Sequence, residues 1–400
     1  MAKLNMLGVI GLFVVGSMAL AEHPVQFKVQ LLTVDANEGC AVADVDKDGK
    51  PDVIAGRNWF HNPDWVARQV RLIDDWNGYV QSNGDAAYDL NGDGLPDIIS
   101  MDFTSTIVYW YENPGKEKAL EGYLWPKHTL ADTGQKTNEV CYLNDVTGDG
   151  KPEWIVNQWN KNSPSLIWEF ATEKRNVAVK QGRKTKQVSK EMPTLIRHEI
   201  GTVNGHGIGF GDLNNDGRSD IVFGLGWYEC PAGDVLNQAW KYHAAWELHA
   251  SCPMLVYDVD GDGTNDLVWS KAHDYGIYWW RGLGPDSTGK LKWEEHLIDD
   301  SFSQPHCLTR ADLDGDGTLE LITGKRIRAH NGGDPGSGAP PIMRYYVWNA
   351  AKKSFDAYTI NQGAVGSGLQ IRTVDLDADG DIDIAVAGKE GTQILWNQRK

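Results

Sequence analysis

One nine-residue pattern occurs seven times in this chain of 400 residues, and it limits the possible folds more than any other feature. The first copy reads Asp44-Val-Asp46-Lys-Asp48-Gly-Lys-Pro-Asp52, and the second runs from Asp89 through Asn91 and Asp93 to Asp97. The third holds Asp145, Thr147, Asp149 and Glu153, and the fourth holds Asp212, Asn214, Asp216 and Asp220. Asp258, Asp260, Asp262 and Asp266 form the fifth; Asp312, Asp314, Asp316 and Glu320 form the sixth. The last holds Asp375, Asp377, Asp379 and Asp383. First-Asp spacings are 45, 56, 67, 46, 54 and 63 residues. Oxygen side chains at positions 1, 3, 5 and 9, with Gly at position 6, suit a tight turn around a hard cation. Ca²⁺ is the expected ion, first of all in the four-carboxylate copies starting at Asp44, Asp258, Asp312 and Asp375. The same Asp and Asn residues also brace a tight turn through their own backbone, without any ion. The loop is not an EF-hand, because position 12 is Ala55 in the first copy and Ser100 in the second.

Each loop leads into a short β-branched run such as Asp52-Val-Ile-Ala, then into an aromatic strand such as Tyr109-Trp110-Tyr111. An outer strand follows, as in Ile196-Arg-His198-Glu-Ile200 or Trp293-Glu-Glu-His296. Four antiparallel strands per repeat, seven times, predict an all-β chain: a seven-bladed β-propeller. The last repeat has no fourth strand of its own, and Phe27–Leu32 resembles it. An N-terminal strand is therefore expected to complete the last blade and remove an open sheet edge. Trp110, Trp279, Trp348 and Trp396 recur at one blade position and read as core, whereas Trp59, Trp159 and Trp227 remain candidate platforms for a sugar. His128, His198, His249 and His296 recur in the outer-strand motif and read as structural.

Residues 1–21 read as a secretory signal peptide: Lys3, an apolar stretch from Leu4 to Leu20, and Ala19-Leu20-Ala21 as a cleavage site. Residues 22–400 then form a single propeller, secreted or periplasmic, with no further stretch apolar enough to span a membrane. A net charge of −17 argues against a nucleic-acid partner. The five cysteines are odd in number and scattered, so mostly buried thiols are expected. A basic insertion at about 173–191 reads as a solvated hairpin or loop, or else as a patch for an acidic polysaccharide.

The repeats resemble the FG-GAP/VCBS family of secreted propellers over about residues 26–400, a fold also seen in integrin α heads. Phe210-Gly211 is the one Phe-Gly pair just before an Asp-rich loop, and no Gly-Ala-Pro follows it, so no integrin-like partner is inferred. A narrower resemblance joins Ser303-Gln304-Pro305-His306, Gly324-Lys325-Arg326, His330–Gly336 and Gly366–Gln370 to the propeller part of aldos-2-ulose dehydratase-type proteins. That likeness implies elimination of water from keto-sugars. Those proteins also carry cupin domains, for which this chain has no spare region.

The repeat register identifies residues expected to ring one face. Six before each first Asp stand Glu38, Asn83, Glu139, His206, Cys252, His306 and Leu369. Five past each closing acid stand Arg57, Asp102, Gln158, Leu225, Lys271, Lys325 and Gly388. A structural ring would repeat one residue type; this one varies and is mostly polar, as a site requires. The expected chemistry is β-elimination on a sugar or keto-sugar at the central funnel, as in a carbon–oxygen lyase or dehydratase. His306 or His206 would be the base, and Lys325, Arg326 or Lys271 would hold the developing charge. Glu139 and His330 would complete a second divalent-metal site with the histidines, and the glycines flanking His206 would admit a ligand. The alternative is a non-catalytic propeller that binds carbohydrate or protein.

Overall fold

The computed structural model describes residues 25–158, 160–181 and 184–399. The signal-peptide segment 1–21 and Trp159 lie outside the described residues. The regular structure of the described residues is almost wholly β, and each Asp-rich loop turns between the first two strands of a four-stranded antiparallel unit. Unit 1, for example, is Cys40–Ala43, Asp52–Ala55, Asn58–His61 and Val66–Gln69 in simple meander order. Units 4 and 5 share one eight-stranded sheet, because their innermost strands Ile208–Gly211 and Met254–Tyr257 pair in parallel. The last unit is Ile371–Val374, Asp383–Gly388 and Gly391–Asn397, completed by Phe27–Thr33 with Phe27 opposite Asn397. That is the expected N-terminal strand. No helix among the described residues is long and apolar enough to cross a membrane.

The closing acid of each loop explains why the repeat folds as it does. Asp97 is fully buried; its Oδ2 accepts the Leu90 N–H at 3.1 Å and its Oδ1 the Asn113 N–H at 2.7 Å. Asp52, Asp220 and Asp383 each accept two equivalent N–H groups. One side chain thus staples the loop to the end of the third strand. Burial pushes Asp52, Asp97 and Asp220 up to about 7, against those hydrogen bonds. The Asn at the end of the third strand then links units. Asn113 donates to the Val45 carbonyl of unit 1, Asn62 to Leu376 of unit 7, and Asn397 to Leu313 of unit 6.

Between consecutive units lie apolar clusters. Units 1 and 2 bury Trp59, Ile98 and Trp125, units 2 and 3 bury Trp110 and Trp154, and units 5 and 6 bury Trp279 and Tyr346. The succession returns to its start, since Cys40, Val53 and Phe60 of unit 1 pack on Leu376, Ala385 and Ile394 of unit 7. Truncating one such Trp costs about 3–5 kcal/mol. Trp110, Trp279 and Trp396 are buried as expected and Trp348 is partly buried. Trp59 and Trp227 are buried too, so neither offers a face to a ligand. All five cysteines are free and buried.

The basic insertion is a long hairpin, Ser165–Gln181 paired with Lys184–Gly201. Arg175 on it donates to the Thr129 carbonyl of unit 2, and Lys184 to Glu191 are exposed.

Candidate functional site in the central funnel

A cavity of about 300 Å³ opens where the units converge. Its floor is built by Glu139, His206, His249 and His273, and its sides by Arg326, Arg328, His330 and Lys389. Trp76, Tyr79 and Phe103 form an aromatic wall.

Glu139 comes from the first strand of unit 3, where the register slips between Asn138 and Cys141. An irregularity of that kind re-aims a side chain. His206 precedes the first strand of unit 4. Its glycines do not make room for a ligand, as the sequence suggested; they admit the neighbouring unit. A Cβ on Gly209 would stand 2.0 Å from the Met254 carbonyl oxygen, and one on Gly207 would meet Ala250 at 2.7 Å. This close approach of units 4 and 5 brings His206 beside His273, which sits in the turn after strand Asp266–Ser270. His306 precedes the first strand of unit 6 and is fully buried.

The four groups face one another. Glu139 Oε2 lies 3.0 Å from His206 Nε2, and Oε1 lies 3.2 Å from His306 Nε2. His273 Nε2 is 3.3 Å from His206 Nε2. One ligand atom from each of the four falls within 4.8 Å of every other. The outer nitrogens fix the tautomers. His206 Nδ1 is 2.7 Å from the Ala250 carbonyl, which only accepts, so Nδ1 carries a proton. His273 Nδ1 is likewise 2.7 Å from the Asp334 carboxylate. In the neutral rings the Nε2 lone pairs therefore point at each other. His306 Nδ1 is buried with no hydrogen-bond partner.

Burial favours the uncharged form of His306, His273 and His249. Burial pushes His306 down to about 4, with Glu139 opposing and Arg326 adding. Burial, with His306, His206 and Arg326 nearby, pushes His273 down as well. His249, whose ring centroid is 4.2 Å from that of His206, is pushed down to about 4 by burial and by the charges of His206 and His306. Burial opposes ionisation of Glu139, but His206 and His306 hold it well below the usual carboxylate range.

Behind this floor lies a buried ion-pair network. Arg326 donates twice to Glu38, at 2.7 and 2.9 Å, and once to Glu139 at 3.2 Å. Lys389 Nζ is 2.7 Å from Glu38. Burial penalises the Glu38 charge, yet the two cations bring its pKa down to about 2. Lys325, in contrast, is buried outside the cavity lining; its Nζ donates to Ser303 Oγ at 2.8 Å and to the Gly336 carbonyl at 2.9 Å. It anchors the loop that carries His330. Lys271 sits over the Tyr278 ring at 5.6 Å and does not line the cavity. Arg57 pairs with Asp35 and Asp75, Asp102 accepts from the turn at Thr104 and Ser105, and Asn83 reaches the lining.

His330 is exposed on that loop, its Nδ1 2.8 Å from Asp334 and its ring stacked on His273 at 4.1 Å. Arg328, His330 and Asn331 all line the cavity with left-handed backbones, at φ 50°, 47° and 56°. Each such non-glycine residue costs about 1 kcal/mol or more, a cost that marks functional loops.

Sequence reasoning missed His273, Arg328 and Lys389, singled out Asp334 only within the His330–Gly336 segment, and grouped His249 with the outer strands. The outer strand of unit 4 is in fact Lys241–His243, which frees His249 to reach the funnel. His128, His198 and His296 do lie in outer strands.

The FG-GAP-like repeat family matches residues 89–168 and 258–323, which take in four of the seven Asp-rich loops. The chain thus carries FG-GAP-like repeats on a propeller-type series of four-stranded antiparallel units. No curated protein sequence matches it. Among solved structures it is similar to BBS1N crystallised in complex with ARL6DN and soaked with lead, at 11% identity over 93% of this chain and 96% of that one, with a TM-score of 0.46. It is also similar to the V. cholerae biofilm matrix protein Bap1, at 13% identity over 94% and 84%, with a TM-score of 0.37. Likenesses at this level bear on neither ligand nor partner.

Proposed function

We propose that the funnel holds a divalent transition-metal ion on Glu139, His206, His273 and His306, and that the protein is a carbohydrate-active carbon–oxygen lyase. The observation that carries this reading is the pair of inward Nε2 atoms, 3.3 Å apart beside a buried carboxylate. A proton or a metal ion has to stand between them, and the four-fold convergence of ligand atoms favours the metal. With metal bonds of about 2.0–2.1 Å, tetrahedral ligand atoms stand about 3.3–3.4 Å apart, close to the 3.0–3.3 Å found here. The outer bonds to Ala250 and Asp334 supply the partners that metal-bound imidazoles need. Three imidazoles and one carboxylate suit Zn²⁺ or Mn²⁺ better than Ca²⁺.

A divalent ion held by these four residues would supply Lewis-acid polarisation of a substrate oxygen by taking it as a fifth ligand. The residues do the rest. His206 and His306 are committed to the proposed metal group, so the base falls to His330, which lines the cavity with its Nδ1 held by Asp334 and its Nε2 left to accept a proton. His330 takes the proton from the carbon next to the carbonyl. That electron pair forms the new C=C bond as the C–O bond one carbon further breaks, and the departing oxygen takes up a proton. Arg326, fixed by Glu38, stabilises negative charge at the floor. Lys325 acts at a distance by anchoring the His330 loop.

The Asp-rich loops are proposed to hold Ca²⁺ where four carboxylates meet. The groups Asp44–Asp46–Asp52 and Asp258–Asp260–Asp262 offer convergent oxygens. Arg281 already bonds Asp260 and Asp262, so the fifth loop is partly neutralised from within. Export on residues 1–21 would place these loops where Ca²⁺ is abundant.

Metal content and turnover on one mature sample test the reading. The expected result is a transition metal besides Ca²⁺, with ultraviolet absorbance of new conjugated carbonyls from keto-sugars or uronates. His330→Ala should cut that rate about 10²–10⁴-fold and leave metal content unchanged. Metal-replete protein that turns over none of them would move the reading to a binding propeller.

A further inference from the structure

We propose that the sugar taken by this funnel is acidic and that Arg328, with Lys389 beside it, receives its carboxylate. This rests on the lyase reading of the same cavity and narrows its substrate class. Arg326 has two carboxylate partners and Lys389 has one, both within the buried network. Arg328 has no carboxylate partner among the described residues, yet it is exposed in the cavity wall. The fold holds it there in a left-handed backbone at φ 50°, ψ 33°, with His330 and Asn331 strained beside it. A solvated arginine needs no such aim.

The charge count points the same way. Arg326, Arg328 and Lys389 line the cavity with one carboxylate, Glu139, while Glu38 and Asp334 stand behind the lining. Glu38 is taken by Arg326 and Lys389, and Asp334 by His273 and His330, which leaves the Arg328 charge without a carboxylate among the described residues. A neutral sugar would leave that charge unanswered, whereas a carboxylate would accept the guanidinium fork in two parallel hydrogen bonds. The volume of about 300 Å³ sits at the small end of small-molecule sites and fits one or two sugar rings. Trp76 and Phe103, stacked at 5.9 Å and 22°, offer an apolar face against which a ring can lie. With its charge neutralised by the guanidinium, a carboxylate also acidifies the C–H beside it, the proton that His330 would remove.

Calorimetric titration of the full-length protein at low salt tests this with two probes, digalacturonate and its carboxyl-reduced digalactoside. Digalacturonate should bind about tenfold or more tightly than the neutral probe. Arg328→Ala and Arg328→Gln should each bring the two affinities within about threefold; the second keeps most of the side chain, so a packing loss is told apart from a charge loss. Equal affinities in the wild type, or a preference that survives both variants, would overturn the proposal. Selective, Arg328-dependent binding without turnover would uphold it while sinking the lyase reading. Turnover of a neutral keto-sugar with no preference for the acid would do the reverse.

Discussion

Glu38 shows how much a single residue carries. It is fully buried between Arg326 and Lys389, and it holds Arg326 against Glu139. Its folded pKa of about 2 lies below the ordinary 4.5, so the unfolded chain takes up the proton first as pH falls. The stability Glu38 contributes is complete above about 4.5 and is lost as pH falls through about 2, a swing of about 3 kcal/mol. Urea unfolding across that window should show the slope in the wild type and lose it in Glu38→Gln. The same variant leaves two buried cations short of a partner and should cost about 3–5 kcal/mol at neutral pH. A second residue-scale expectation concerns Asp334. Asp334→Asn keeps the shape but weakens the hold on the His273 tautomer, and should lower metal affinity about 10–100-fold with little change in melting temperature.

At the scale of the element, the loop staple and the hairpin make opposite predictions. Asp97→Ala removes the acceptor for two buried N–H groups and should destabilise by about 2–4 kcal/mol, read as a fall in the urea midpoint. Shortening the exposed end of the 165–201 hairpin should change stability by less than about 1 kcal/mol, since residues 184–191 bury nothing. The loop was legible in the sequence because it repeats, but its closing acid read as a cation ligand and not as the staple it forms. The Asp loops, the aromatic strands and the tryptophan core all recur in register, and the structure repeats them. The site was half legible for the same reason. Glu38, Glu139, His206 and His306 stand at one repeat position, and the structure brings them to one funnel. His273 stands two residues beyond its register position, in a turn whose path depends on the packing of units 4 and 5. Arg328, Asp334 and Lys389 lie in connections that no repeat describes. His249 was misplaced because the outer strand of unit 4 begins and ends early. In each case tertiary packing, not local pattern, fixed the side chain.

At the scale of the molecule, strand Phe27–Thr33 joins the two ends of the chain in one sheet, and unit 7 packs on unit 1. The funnel draws on units 1 to 7 at once, so its geometry depends on that arrangement. Deleting residues 25–33 exposes the edge of Gly391–Asn397 and should abolish cooperative unfolding. The central claim is a metal on Glu139, His206, His273 and His306, and elemental analysis of Zn²⁺-loaded, gel-filtered protein tests it most directly. One tightly held Zn²⁺ per chain is expected in the wild type, with loss in His273→Ala and in Glu139→Gln while both remain folded by circular dichroism. No retained Zn²⁺ or Mn²⁺ in the folded wild type, or retention undiminished in both variants, would contradict it.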